Sequence, residues 1–205
     1  MNGFKEVNLA ILLEEIGEER TKEILADYSC PMNEDIQYFL KEKAILFSRQ
    51  GIARTHLVFA GYKGKTVLIG YYALAYKPVE VKIDKLNSLW RKRLRTFATY
   101  DETTKSYWAS LPLIGQLGKN FTNGYDQLIS GGELLKLACN RIEALQAEVG
   151  GKMAYLECED SPGLVRFYEE NGFFRFANRN LDKDEIGEKR YLVQMIKYFK
   201  TRKEG

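Results

Sequence analysis

Two adjacent glycines, Gly131 and Gly132, head a leucine-periodic run in the stretch YDQLISGGELLKLA. Glycine costs a helix interior roughly 1 kcal/mol relative to alanine. A pair of them at a helix start therefore marks backbone that must stay bare. The run just upstream, LIGQLGKNF, has the character of a strand. Strand, polar loop and glycine-headed helix in that order point to a mixed α/β fold.

A bare helix start suits a specific chemistry. First-turn N–H groups have no partner within the helix, and the dipole makes that end positive. A phosphate can accept from those groups when no side chain blocks it. Ser130 and Glu133 also form an S-x-x-E capping box, which satisfies first-turn donors without any ligand. The segment alone admits both readings. Neither GxxxxGK[ST] nor a GxGxxG after a strand is present.

The remaining pattern completes the architecture. Leu9, Leu12, Leu13 and Ile16 predict a helix from Asn8 to about Leu25. Asn33 is placed to cap a second helix running to Phe47. THLVFAG and TVLIGYYALAY predict two strands joined by a hairpin at YKGK. After Pro78 the pattern turns helical. Leu86, Trp90, Leu94 and Phe97 recur at helical spacing in a segment whose Lys82–Arg95 portion carries six basic residues and one acid. Glycines 115 and 118 inside LIGQLGKNF predict a bulge or a close backbone approach. MAYLECE predicts a strand, Ser161-Pro162 a capped helix start, and Asn171-Gly172 its end. FFRFA and KRYLVQMIKYF predict two last strands around the charged loop LDKDEIGE. The expected sheet is centred on residues 68–76, 113–121 and 153–157.

Composition narrows the function. The 205 residues fit one domain, 1–205, with a helical extension at 1–25 and a basic helical insertion at 78–110. No apolar run approaches the roughly 20 residues that span a bilayer, and the N-terminal stretch is too acidic for a signal peptide. A cytoplasmic protein without a membrane partner is expected. Cys30, Cys139 and Cys158 are far apart and odd in number, which argues against disulfides and zinc cages. His56 is the one histidine, so neither a His-rich metal site nor a Ser–His–Asp triad is expected. The expected metal set is none.

With its surroundings, the glycine pair resembles the acetyl-coenzyme A site of the GNAT (Gcn5-related) N-acetyltransferases. Their [R/Q]-x-x-G-x-[G/A] signature is matched by Gln127-Leu128-Ile129-Ser130-Gly131-Gly132, with Ser130 in place of the middle glycine. Downstream, residues 161–173 (SPGLVRFYEENGF) keep the family's FY and GF, with Ser161 standing for Asn and Leu164 for Ala. The likeness covers about residues 30–199. YSCPMNEDIQYFLKEKA and ARTHLVF are similar to the branch that includes toxins of toxin–antitoxin pairs, members of which acetylate the α-amine of aminoacyl-tRNA.

The resemblance implies the GNAT fold: a central mixed, mostly antiparallel twisted sheet with flanking helices. It implies acetyl-CoA as cosubstrate and an amine acceptor on a small molecule, a protein or an aminoacyl-tRNA. The cofactor-binding set is then Leu117, Gly118, Lys119, Gln127, Leu128, Ile129, Ser130, Gly131, Gly132, Glu133, Ser161, Phe167 and Tyr168. A backbone N–H within residues 118–121 would meet the thioester oxygen, and N–H groups of residues 129–133 the pyrophosphate. Tyr168 is the expected general acid, since a phenol is protonated at neutral pH and can pass a proton to a thiolate. Packing beside Phe167 is the alternative reading of the same residue. Glu157 and Glu159 share a strand face with Tyr155 and are the candidate bases, although an α-amine titrating near 8 needs little help.

The basic segment carries Arg91, Lys92, Arg93 and Arg95, which could meet RNA phosphates or form a solvated helix face. A homodimer is compatible with the resemblance. The rival to an enzyme is an inactive coenzyme-binding regulatory module, prompted by Ser130 and Ser161.

Overall fold

The computed structural model describes residues 3–181 and 191–200. The charged loop after Leu181, the first two residues of the KRYLVQMIKYF run and the KTRKEG tail after Lys200 lie outside the described residues. The chain divides into two compact units, residues 1–75 with 114–138 and residues 76–113 with 139–205. The long strands and the glycine-headed helix pass through both.

The first unit opens with β1 (Lys5–Asn8), a strand within the expected helical extension and just ahead of the leucine spacing. Asn8 then caps α1 (Leu9–Ile16), accepting from the Ala10 N–H at 2.9 Å. Gly17 breaks the predicted single helix, and α2 (Glu18–Ala26) follows. Its φ of 80° lies in the left-handed region that favours glycine. Asn33 caps α3 (Glu34–Tyr38) through the Ile36 N–H at 3.2 Å. A π-helical turn over Phe39–Lys43 separates it from α4 (Ala44–Gln50).

The antiparallel pair β2 (Arg54–Tyr62) and β3 (Lys65–Lys82) forms the expected hairpin. Lys63 and Gly64, both at positive φ, make its tight turn. β1 pairs with β2, and β5 (Ser106–Lys119) lies on the other side of β3. Leu9, Leu25, Tyr28, Leu40, Leu57 and Tyr71 form the core between this sheet face and the helices.

In the second unit β3 continues as a strand through Pro78 to Lys82, so the helix starts later than the basic run suggests. Asn87 caps α5 (Ser88–Phe97) through the Trp90 N–H at 3.0 Å. A short β4 (Thr99–Asp101) pairs with the start of β5, a hairpin absent from the sequence reading. The strand order here is β3-β5-β6-β8-β7, with β6 (Met153–Glu159), β7 (Phe174–Asn180) and β8 (Tyr191–Tyr198). β8 runs antiparallel to both of its neighbours. Trp90 and Leu94 of α5 pack with Met153, Tyr155, Phe176 and Ile196. The glycine-headed helix is α6 (Gly131–Val149), and α7 (Pro162–Glu170) follows β6. The fold is mixed α/β, mostly antiparallel, with flanking helices. Among the described residues no helix is long and apolar enough to cross a membrane.

Candidate functional site

In the first unit, the end of β5 alternates its backbone donors toward and away from β3. The Asn120 N–H donates to Ile69 O at 2.8 Å and the Phe121 N–H to Ser29 O at 2.8 Å. Strand alternation puts the Gly118 N–H on the same side as that of Asn120, toward β3. The Lys119 N–H therefore faces away from β3. Of residues 118–121, Lys119 is the one whose backbone could reach a ligand alongside the strand.

The glycines of this strand serve close approach. A Cβ on Gly118 would stand 2.4 Å from both Ile36 Cγ2 and the Tyr28 hydroxyl. A Cβ on Gly70, across in β3, would meet Gly118 O at 2.9 Å and Leu134 of α6 at 3.3 Å. A register shift falls in the β2–β3 pairing, next to Ile69.

From β5 the chain passes through a kinked 3-10 segment, Thr122–Leu128, with Asn123 and Gly124 at positive φ. The Lys119 ammonium reaches back to Asp126 O at 3.0 Å and stands 5.7 Å from the centre of the Phe121 ring. Gln127 is exposed, Leu128 half-buried and Ile129 buried. Leu117 is half-buried on β5.

At the start of α6 the capping box is formed. The Ser130 N–H and hydroxyl donate to the Glu133 carboxylate at 2.9 and 2.7 Å, and the Glu133 N–H donates to Ser130 Oγ at 3.1 Å. The Ser130 N–H holds the Glu133 carboxyl below its ordinary range, with the hydroxyl adding to the effect. Two of the five expected donors are thus engaged. Gly131 and Gly132 occupy the first two helical positions, where the helix offers no acceptor.

In the second unit, α7 carries Tyr168 buried at 8% exposure. Its ring meets Phe167 edge-on at 5.0 Å and Phe173 at 5.8 Å. Burial raises the phenol's pKa above its ordinary value, with smaller contributions from the Cys158 and Cys139 thiols. The group is a protonated donor at neutral pH. Burial pushes Cys158 up to about 12, and Cys139 also rises. Neither is an activated thiol. Ser161 stands at the N-cap position of α7, but its side chain makes no capping bond there. Sequence predicts that bond; here the backbone closes the turn through Ser161 N–H to Glu159 O at 2.8 Å. Phe167 is half-buried, Ser161 and Glu159 exposed.

Glu157 sits in an ion cluster that sequence does not reveal. Its carboxylate accepts from Lys77 Nζ at 3.0 and 2.9 Å, from Arg179 Nε and Nη2 at 2.7 and 2.6 Å, and from the Tyr155 hydroxyl. Burial alone would raise its pKa; Arg179, Tyr155 and Lys77 together outweigh that and lower it. A carboxylate so held is a weak proton acceptor. The cationic partners come from β3 and β7, and no short motif links them to Glu157. His56 is buried and stacks on Tyr72 at 4.9 Å. Among the described residues no group of His, Cys, Asp and Glu is arranged to hold a metal.

The basic helix divides by contact. Arg91 Nε donates to Leu86 O at 2.9 Å, and the Arg93 guanidinium lies 4.8 Å from the centre of the Trp90 ring and 4.5 Å from that of Tyr198. Lys92 and Arg95 are exposed. The same unit exposes Tyr100 and Trp108, 42% and 44% accessible.

Comparison with solved structures settles the fold. The toxin AtaT complexed with acetyl-methionyl-tRNAfMet is similar at TM-score 0.59 and 16% identity, over 93% of both chains. A tyrosine-to-phenylalanine mutant of KacT gives 0.60 at 15%, over 93% of this chain and 94% of that one. AtaTR bound with acetyl-CoA gives 0.54 at 15%, over 95% and 93%. This chain has the GNAT fold. No protein-family model matches the sequence, and no curated protein matches it.

Proposed function

We propose that the chain is an N-acetyltransferase that moves the acetyl group of acetyl-CoA to a primary amine by direct attack. The observation that carries this is the helix start at Gly131-Gly132, with its two uncommitted positions, following a strand whose Lys119 N–H faces away from β3. The diphosphate accepts from the first turn of α6, with Gln127, Leu128, Ile129 and Ser130 shaping the loop. The Lys119 ammonium, already at the loop carbonyl of Asp126, adds a positive charge. The thioester carbonyl accepts from the Lys119 N–H. A neutral amine attacks that carbon, and the C–S bond breaks as the tetrahedral intermediate collapses. Tyr168 gives its proton to the leaving thiolate, and the proton lost by the amine restores the balance through solvent. The held carboxylate of Glu157 favours a structural role, which leaves Glu159 or water to take up the amine proton.

The acceptor that best fits is the α-amine of an aminoacyl-tRNA. A similar toxin is seen with an acetylated aminoacyl-tRNA, and here Lys92 and Arg95 stand free of the contacts that hold Arg91 and Arg93. Exposed Tyr100 and Trp108 offer stacking surfaces in the same unit. Such a substrate places the reaction in the cytoplasm.

The test is incubation with labelled acetyl-CoA and charged total tRNA, followed by mass spectrometry of the aminoacyl groups. N-acetylated aminoacyl esters are expected. Label on proteins or small amines instead would redirect the acceptor, and coenzyme binding without transfer would favour the regulatory module. Tyr168→Phe should lower thiol release about 100-fold with unchanged melting temperature; full activity at every pH removes Tyr168 as the acid.

A further inference from the structure

A fully buried hydroxyl lies against the reactive end of β5. The Tyr28 side chain has 0% exposure and meets Tyr71 edge-on at 5.3 Å. Among the described residues its hydroxyl has no geometric hydrogen-bond partner. The Cys30 thiol stands beside it, but sulfur is a weak acceptor. A buried unpaired hydroxyl costs folding free energy, and phenylalanine would pack the same space without that cost.

Its position is well determined. Asn120 Oδ1 accepts from the Ser29 N–H at 3.0 Å, and Asn120 Nδ2 donates to Leu68 O at 2.8 Å. With the Phe121 N–H on Ser29 O, Ser29 beside Tyr28 is tied twice to the residues that follow β5. The hydroxyl so placed occupies the space over Gly118 that a side chain would need. Gly118 directly precedes Lys119, whose N–H faces away from β3.

The cover over this point is thin. Ile36 of α3 shares the space above Gly118, yet α3 has no buried residue. Three hydrogen bonds and the packing of Ile36 on the core hold it: the Tyr71 hydroxyl to Ile36 O at 2.6 Å, Gln116 Nε2 to Asp35 Oδ2 at 3.0 Å, and the Cys30 N–H to Gln37 Oε1 at 2.9 Å. The π-helical turn follows immediately, and such turns recur where helices at functional sites change register. Few apolar contacts and few bonds make a segment cheap to open.

We propose that Tyr28 is a second donor to the acyl oxygen. When α3 shifts off Gly118 in the substrate complex, the phenol donates to the thioester carbonyl beside the Lys119 N–H. It keeps its proton throughout and stabilises the oxyanion as the amine attacks. The inference rests on the acetyl-transfer reading above. It explains why the folded protein carries a hydroxyl that its own groups do not satisfy.

The test compares wild type with Tyr28→Phe, using acetyl-CoA and charged total tRNA. The variant is expected to melt at the same temperature or higher and to bind acetyl-CoA with unchanged Kd. Its kcat should fall about 100-fold, the usual loss for one oxyanion donor. A variant that melts higher and keeps its kcat overturns the assignment, and a hydroxyl that merely packs predicts that result. Hydrogen exchange across residues 34–43 should quicken when charged tRNA joins the coenzyme complex; unchanged exchange overturns the opening of α3. A wild type that releases no coenzyme from acetyl-CoA overturns the acetyl-transfer reading and this one together. Failure of the Tyr28 assignment alone shows only in the comparison of the two proteins.

Discussion

The Glu133 carboxylate accepts from both the N–H and the hydroxyl of Ser130, at 2.9 and 2.7 Å, at the head of the helix assigned to the diphosphate. One segment thus does two things that sequence poses as alternatives. It caps the helix with a side chain, and it leaves the Gly131 and Gly132 positions without an internal acceptor. The carboxylate is also a negative charge within the first turn, where the coenzyme's charge would come to rest.

Replacing Glu133 by Gln keeps an oxygen for the Ser130 bonds and removes that charge. Glu133→Gln should tighten acetyl-CoA binding about threefold at low salt, less at high salt. Calorimetric titration at two ionic strengths checks this. Weaker binding would mean that the charged cap is what shapes the loop.

Glu157→Gln leaves Lys77 and Arg179 facing each other without their shared anion. A loss of about 2 kcal/mol in unfolding free energy is expected, discounted because Lys77 is partly exposed. The folded pKa of Glu157 is depressed, so its stabilising contribution is present above the unfolded value and is lost as pH falls through the folded one. The wild type should therefore lose stability relative to the variant below about pH 4.5. Denaturant melts of both proteins between pH 3 and 7 measure the gap. A gap that stays constant with pH would contradict the ion cluster.

Arg91, Lys92 and Arg95 of α5 are exposed, but Arg91 is held by Leu86, and Arg93 by Trp90 and Tyr198. The pair Lys92→Ala and Arg95→Ala should lower tRNA affinity and reduce its salt slope by about 2, with the melting temperature unchanged. Arg93→Ala should instead cost about 1 kcal/mol of stability through its ring contacts. Filter binding across salt concentrations separates the two. An unchanged slope in the double variant would remove α5 from the RNA contact.

Local signals carried much of the fold. The hairpin at Lys63-Gly64, the cap at Asn33, MAYLECE as a strand and Asn171-Gly172 as a helix end all follow from signals within a few residues. β1 was hidden because four residues pairing with β2 have no periodicity of their own. β3 runs through Pro78 because pairing, rather than the residue's propensity, sets its end. The same distinction holds at the site. Gly131-Gly132 and Tyr168 stand in short motifs. Lys77, Arg179 and Tyr28 gain meaning only when β3, β7 and the end of β5 bring them to Glu157 and Gly118, and no local spacing encodes that.

The central claim is that the first turn of α6 binds the coenzyme's diphosphate. Its most direct measurement is calorimetric titration of acetyl-CoA into wild type and into Gly131→Asp, which puts a side chain and a charge where the phosphate would sit. Saturable one-site binding by the wild type, weakened at least about 30-fold in a variant that still folds, is the predicted result. Equal affinity in both proteins, or none in the wild type, would contradict it.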